Sequence, residues 1–446
     1  MKRLNRIFNL VPTNRFFFGM ALLIVLFVLS FFFSQLFYSA VLLSIFFCGL
    51  LGYEILRLFG LKKPIRVQRK VAEKISNGDK NPVQLLIQST YNFPIQLKVI
   101  DELPFLLQIR NFSLEFQLNE RERLTKTYEI KPLERGDYDF GNVITIAQTA
   151  LGILARKQVH PLAQNTKSYP SFIQLKKYEL IAATPQVHAY GIKKVRRIGQ
   201  ATEFEQIKDY VTGDDLKTIN WKATAKRSQL MVNQYQEERS QNVYMLIDRG
   251  RVMKMPFDGL SLLDYAVNAS LVLSSAILRK GDKAGLVSFA KFVDNKVPAE
   301  RRAIHMQQIL ENLYNIDNKY QETDFGKLYT YVKTNVRQRS LLMIYTNFET
   351  RDGWQRQLKY LKGLAKSHLV VVIFFTNTEL DKIAEKKANN LREIYDHAIA
   401  EKFAFEKRAL AAELRKHGIL TILTKPEDLT LNTLNKYLEI KSRGIL

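Results

Sequence analysis

The sequence predicts a membrane-anchored α/β protein: a two-helix transmembrane hairpin, a small β-sandwich, then a parallel sheet with helices on both faces. Three observations carry this. The stretch from Phe16 to Tyr53 holds no charged residue; short alternating runs follow it to about residue 165; and from residue 242 continuous apolar runs alternate with helical patterns. The chain accordingly divides into residues 1–62, 63–168, 169–241 and 242–446.

A helix rises about 1.5 Å per residue and about 20 residues cross the hydrocarbon core, so the charge-free stretch is too long for one straight pass. The polar pair Ser34-Gln35 marks a turn at its middle, which gives spans at 16–33 and 36–56 with a tight connection. Lys2, Arg3, Arg6 and Arg15 precede the hairpin, and Arg57, Lys62, Lys63, Arg66, Arg69 and Lys70 follow it. Both ends are therefore expected on the cytoplasmic side. With 67 basic against 43 acidic residues, a net charge of +24, the chain is drawn to anionic surfaces. The anchor makes that surface the inner leaflet of the bilayer. Nucleic acid is not expected as a partner, because the basic residues are spread along the chain and no recognised motif gathers them with aromatics. The one cysteine, Cys48, lies in the second span and excludes an intramolecular disulfide framework or a cysteine-rich zinc site.

In residues 63–168 the runs Val83-Gln-Leu-Leu-Ile-Gln, Ile95-Gln-Leu-Lys-Val-Ile, Leu114-Glu-Phe-Gln-Leu and Val143-Ile-Thr-Ile read as strands. Turn signals at Asn77–Pro82 and Arg135–Gly141 separate them, as a β-sandwich requires. No catalytic constellation appears in this module. Residues 169–241 read as a long charged connection, with the basic run Lys193, Lys194, Arg196 and Arg197 as a solvated face or a lipid contact.

Beyond residue 242, strands are expected at 243–247, 284–289, 341–345, 369–375 and 419–423, with helices near 260–280, 300–314, 325–336, 353–366 and 380–416 and from about 426. Apolar strands separated by helices imply a parallel sheet, whose ligands sit beyond the carboxyl ends of the strands. Asp248 and Asn347 both fall just past a strand end.

A divalent cation there would draw on Asp248, with Thr323, Asp324 and Asn347 from later loops. The loop after Asp248 carries Gly250 and Val252 where hydroxyls are wanted, and Asn347 stands where a second acid is wanted, so a Mg²⁺ site is expected to be degenerate and no cofactor is expected. The chain lacks a phosphate-cradling Gly-x-x-x-x-Gly-Lys loop and a His-Glu-x-x-His pair, which leaves nucleotide hydrolysis and zinc proteolysis without their minimal parts. The acidic pairs Glu203/Glu205, Asp214/Asp215 and Glu237/Glu238 read as salt-bridge partners of Lys222, Lys226, Arg227 and Arg239 rather than as acid and base. Gly213-Asp214-Asp215 reads as a turn, after which Ile219, Trp221 and Ala223 alternate as one face of an extended segment that packs Trp221 against the α/β domain.

With these residues in view, the chain resembles the domain-of-unknown-function 58 family, bacterial membrane-anchored proteins with a von Willebrand factor A-like (Rossmann-like) domain. The resemblance is carried by Gly199, Glu203, Phe204, Tyr210, Gly213, Asp214, Asp215, Ile219, Trp221, Ala223, Thr224 and Ala225, followed by Glu237, Glu238 and Arg239. It implies a non-enzymatic adaptor at the bacterial inner membrane, with these motif residues as a partner contact and a MoxR-type AAA+ ATPase as the partner. The alternatives are a metal-dependent binding protein using the degenerate strand edge, or a nucleic-acid-binding or hydrolytic protein at the membrane.

Overall fold

The computed structural model describes residues 9–183, 202–212, 214, 216–237, 240–302, 304–318, 320–348, 351–385 and 390–445. They form two compact units, Met1–Tyr169 and Pro170–Leu446.

The first unit opens with β1 (Leu10–Pro12) and two antiparallel helices, α1 (Asn14–Phe32) and α2 (Gln35–Phe59), both long and apolar enough to cross a membrane. They lie within two or three residues of the expected spans. Gly19 lets them approach: a Cβ there would stand 2.6 Å from the Phe47 ring. At 25 residues α2 exceeds the roughly 20 that span the hydrocarbon, so its last turns belong to the interface.

The strands β2 (Ile65–Lys70), β3 (Lys74–Ser76), β4 (Asn81–Ser89), β5 (Ile95–Asp101), β6 (Ser113–Leu118), β7 (Arg123–Ile130), β8 (Gly136–Phe140), β9 (Val143–Gln148), β10 (Leu154–His160) and β11 (Gln164–Tyr169) follow. They form a five-stranded sheet in the order β1-β10-β9-β5-β6 and two three-stranded sheets, β2-β4-β7 and β3-β11-β8. Strict alternation along β4 and β5 sends Val83, Leu85, Ile87, Ile95, Leu97 and Val99 into one core. Because β1 precedes the hairpin and pairs with β10 while β2 follows it, both ends of the hairpin emerge on the sandwich side.

The hairpin is tied to the sandwich by polar groups. Glu54, fully buried, accepts hydrogen bonds from the Thr149 hydroxyl and from the Ile153 and Leu154 backbone N–H groups at 3.3 and 2.7 Å. Arg156 reaches the other way and donates to the Leu58, Leu61 and Lys62 carbonyls at the carboxyl end of α2, at 2.6 to 3.0 Å.

The second unit begins with α3 (Phe172–Ala183). The segment expected as a plain connection then holds β12 (Thr202–Asp209) paired antiparallel with β13 (Met231–Glu237), with the short helix α4 (Trp221–Arg227) between them. The remaining elements are β14 (Asn242–Asp248), the short β15 (Pro256–Phe257) and β16 (Leu260–Ser261), α5 (Leu262–Arg279), β17 (Lys283–Phe289), β18 (Val293–Glu300), α6 (His305–Tyr314), α7 (Phe325–Asn335), β19 (Leu341–Tyr345), α8 (Arg351–Ala365), β20 (Leu369–Phe375), α9 (Thr378–Glu385), α10 (Leu391–Lys416), β21 (Leu420–Thr424) and α11 (Leu429–Ser442). The sheet order is β18-β17-β14-β19-β20-β21, parallel except for the β17–β18 pair.

Two expectations need correction. The sheet is mixed: β18 is an antiparallel edge strand, which its polar sequence Val-Asp-Asn-Lys-Val-Pro-Ala-Glu concealed. Residues 380–416, expected as one helix, are divided between α9 and α10. α5 is apolar enough to suggest a third span, but it is largely buried between the sheet and its neighbours and is a core helix.

Candidate functional site

Two places concentrate the residues singled out by sequence. The first is the β12–α4–β13 segment. Asn220 caps α4, its Oδ1 accepting from the Ala223 N–H at 3.0 Å while its Nδ2 donates to Asn233 Oδ1 at 2.8 Å. The Thr224 hydroxyl oxygen accepts from the Met231 N–H at 3.0 Å, which fixes the helix against the start of β13. The Tyr210 N–H donates to the Leu230 carbonyl at 2.8 Å, so the two strands close on each other at this end. Asp214 accepts from the Val211 N–H at 3.0 Å and pairs with Lys208 at 2.9 Å. The Lys208 hydrogen bond, aided by the Val211 amide, holds the Asp214 carboxyl below its ordinary range.

Trp221 is therefore not the inward face of an extended segment. It opens a helix, because the Asn220 cap and the run Ala-Thr-Ala-Lys-Arg favour one, and its side chain is 70% exposed. Val211 (63%), Leu216 (66%) and Leu230 (45%) are exposed beside it in sequence and pairing. The ion pair expected of Asp214 is also replaced: it takes Lys208, which stands six residues away, rather than Lys222, Lys226 or Arg227. Glu203 and Phe204 lie on β12 and Glu237 on β13. Gly199, Gly213, Asp215, Glu238 and Arg239 lie outside the described residues.

The second place is the carboxyl edge of the sheet. The chain runs from β14 to β17 on one side and later returns to β19 on the other, so strand order reverses between β14 and β19. Asp248 ends β14, and Thr346 and Asn347 follow β19. The loop before α7 is held there by hydrogen bonds from the Arg251 N–H to the Gln321 carbonyl (3.1 Å) and from the Asp324 N–H to the Ala290 carbonyl (3.0 Å), which places Thr323 over Asp248.

The Asp248 and Asn347 oxygens that a metal would want at this edge already accept hydrogen bonds. Asp248 Oδ1 accepts from the Gly250 N–H at 2.7 Å and from the Thr323 hydroxyl at 2.5 Å, and Oδ2 accepts from the Thr346 hydroxyl at 2.7 Å. Asn347 Oδ1 accepts from the Lys407 ammonium at 3.1 Å, which also donates to the Phe375 carbonyl. Asp324 is turned away and caps α7, accepting from the Gly326 and Lys327 N–H groups at 2.9 and 3.1 Å. The side chain of Arg249 pairs with Asp294. Burial pushes the Asp248 carboxyl up from its ordinary value despite its three donors. Mg²⁺ prefers anionic oxygens in near-octahedral array, and these residues do not fit one.

Restoring the hydroxyl by substitution is expected not to rebuild a cation site. A Cβ at position 250 would stand 2.0 Å from Thr323 Oγ1. Gly250→Ser should therefore displace Thr323, destabilise the protein by about 1–3 kcal/mol as overpacking does, and add no Mg²⁺ binding heat in calorimetry. Saturable Mg²⁺ binding by the variant would overturn this reading of the edge.

A cleft of about 150 Å³ opens over Asp248 and is lined further by Arg251, Glu322, Arg356 and Gln357. Sequence reasoning placed no role on Arg251, Arg356 or Lys407. Arg356 lies on α8 and Lys407 on α10, and only the tertiary fold brings them to this edge.

Comparison with known proteins follows this geometry. Residues 206–389 match the family described as "Protein of unknown function DUF58". A protein of Bacillus subtilis (strain 168), described as uncharacterized protein YeaD, is 24% identical over 63% of this chain and 68% of its own length. Among solved structures the chain is similar to BatB from Bacteroides thetaiotaomicron, a conserved hypothetical protein, with 14% identity, a TM-score of 0.30 and coverage of 46% of this chain and 100% of that one. It is also similar to the SpRpn10 VWA domain, with 12% identity, a TM-score of 0.26 and coverage of 43% and 93%.

Proposed function

Taking as premise that the chain is a DUF58-family member over residues 206–389, we propose that it is a membrane-anchored adaptor without catalytic activity of its own, working through protein contacts. The observation that carries this reading is the exposure of the motif's apolar side chains. Trp221, Leu216 and Val211 are each more than 60% exposed, on a segment whose backbone is held in place by Asn220, Thr224 and Asp214. A large exposed aromatic on a braced frame is the usual composition of a protein contact.

The partner suggested by the family resemblance is a MoxR-type AAA+ ATPase acting on envelope or membrane proteins. On this reading the chain sits in the bacterial inner membrane with both soluble units in the cytoplasm, facing the anionic leaflet, and the basic residues that flank the two apolar helices support it.

Full-length protein in detergent should retain a MoxR-type ATPase through affinity purification. Trp221→Ala, at a side chain that is mostly exposed, should reduce the recovered ATPase at least fivefold, and Asp214→Ala should reduce it by loosening the turn at Val211. Recovery of nucleic acid in place of any ATPase would sink the adaptor reading.

A further inference from the structure

We propose that the cleft over Asp248 is a carboxylate-binding site, in which Arg251 and Arg356 receive an acidic side chain of a protein partner. The claim that the carboxylate belongs to a protein rests on the adaptor reading. The claim that the cleft binds a carboxylate rests on its own donors.

A count of hydrogen-bonding groups decides the sign of the ligand. The oxygens of Asp248 already accept three hydrogen bonds, from Gly250, Thr323 and Thr346, and the Asn347 oxygen accepts one from Lys407. The hydroxyl protons of Thr323 and Thr346 are spent on Asp248. Beside the Glu322 carboxylate, the cleft offers donors: two guanidinium groups and the side-chain amides of Gln357 and Asn347. Both arginines are exposed, and among the described residues neither makes a salt bridge, whereas Arg249 two positions before Arg251 is paired with Asp294. A guanidinium is a rigid fork of N–H donors that matches a carboxylate with two parallel hydrogen bonds.

Charge and size select among anions. Glu322 and, where it is ionised, Asp248 line the same cleft and offset the two arginines, so the cleft holds at most one net positive charge, which a single carboxylate neutralises. A phosphate dianion would instead carry excess negative charge beside Glu322 and Asp248. The cleft, at about 150 Å³, admits an acidic side chain but is small against the roughly 300–1,000 Å³ of pockets that hold whole small-molecule ligands. Around it the same edge presents basic groups lying on aromatic faces, Lys254 over Tyr320 at 3.7 Å and Lys327 over Phe292 at 4.0 Å, which would draw an acidic segment toward the cleft.

The test uses full-length protein in detergent and a fluorescein-labelled hexaglutamate peptide, read by anisotropy. Saturable binding is expected, unaffected by EDTA and weakened at least tenfold in Arg251→Gln/Arg356→Gln. Glu322→Gln should tighten it several-fold, a change that a merely structural role would not produce. Arg337→Gln/Arg339→Gln removes the same charge from exposed arginines at the opposite edge of the sheet, just before β19, and should change affinity by less than threefold. Equal weakening by the two double variants would reduce the effect to net charge and overturn the site. Competition by inorganic phosphate or by a single-stranded oligonucleotide at concentrations below those needed for hexaglutamate would overturn the carboxylate assignment. If hexaglutamate binding ignores Arg251 and Arg356 while Trp221→Ala still abolishes ATPase recovery, this inference falls and the adaptor reading stands. If the arginines govern peptide binding and no ATPase is recovered, the site stands and the adaptor reading falls.

Discussion

Replacing Arg156 by Met lowers the stability of the Met1–Tyr169 unit by about 3 kcal/mol and moves its thermal transition down by roughly 6–12 °C. The guanidinium is buried and serves three carbonyls, those of Leu58, Leu61 and Lys62. The Leu58 carbonyl is one that the last turn of a helix leaves without an intrahelical partner, at the negative end of the helix dipole, and those of Leu61 and Lys62 lie in the segment that leaves the helix. A hydrogen bond from a charged donor contributes about 1.5–3 kcal/mol, and water at the exposed Leu61 and Lys62 recovers part of the loss. The Leu58 carbonyl is not so served: the residue is fully buried and retains only the Tyr91 hydroxyl, at 2.9 Å. Arg156→Lys keeps the charge but cannot span three acceptors with a planar fork, so it should recover less than half of the difference. The measurement is thermal unfolding of the detergent-solubilised full chain, followed by tryptic accessibility of residues 65–169. A shift below 2 °C in Arg156→Met would show that the hairpin and the sandwich are held together by other contacts.

How far the sequence discloses this fold depends on how local each signal is. The runs at 341–345 and 369–375 coincide residue for residue with β19 and β20, because a strand buried on both faces must be continuously apolar. The strand β18 was hidden for the converse reason: an edge strand needs only one buried partner and tolerates Asp294, Lys296 and Pro298. At Trp221 the sequence was ambiguous, since Ile219, Trp221 and Ala223 satisfy a strand's alternation while Asn220 satisfies a helix cap. The cap prevailed, and the tryptophan turned outward.

The edge shows the same division. That Asp248 and Asn347 lie at the ends of strands was legible, and so was the absence of hydroxyls at Gly250 and Val252; that the two strands are neighbours was not. That the Thr323 and Thr346 hydroxyls close over Asp248 could not be read, because those contacts join residues 75 and 98 positions apart. Arg356 and Lys407 belong to helices whose local pattern says only that one face is wet.

The largest effect at that edge is expected from Asp248. Asp248→Ala strands the buried Gly250 N–H and frees two threonine hydroxyls, at a cost of about 2–4 kcal/mol. Asp248→Asn keeps one acceptor oxygen and should cost about 1 kcal/mol, which lets it report on ionisation without loss of the fold. Burial raises the carboxyl's folded-state pKa above the ordinary value of about 3.9. Between that value and the raised one, the folded chain holds a proton that the unfolded chain has released, so stability increases as pH falls through this window and decreases as pH rises through it. Wild type should therefore gain stability relative to Asp248→Asn on mild acidification, as read from paired denaturation curves, and the two should run parallel at higher pH. The opposite slope, with wild type losing ground on acidification, would mean that the Gly250, Thr323 and Thr346 donors outweigh burial and hold Asp248 ionised below its ordinary range. The same variant bears on the cleft above it. Where Asp248 is ionised it opposes an incoming anion, so Asp248→Asn should tighten hexaglutamate binding, whereas a cation site built on Asp248 would be lost with its charge. A single substitution thus gives opposite results for the two ligands this edge could serve.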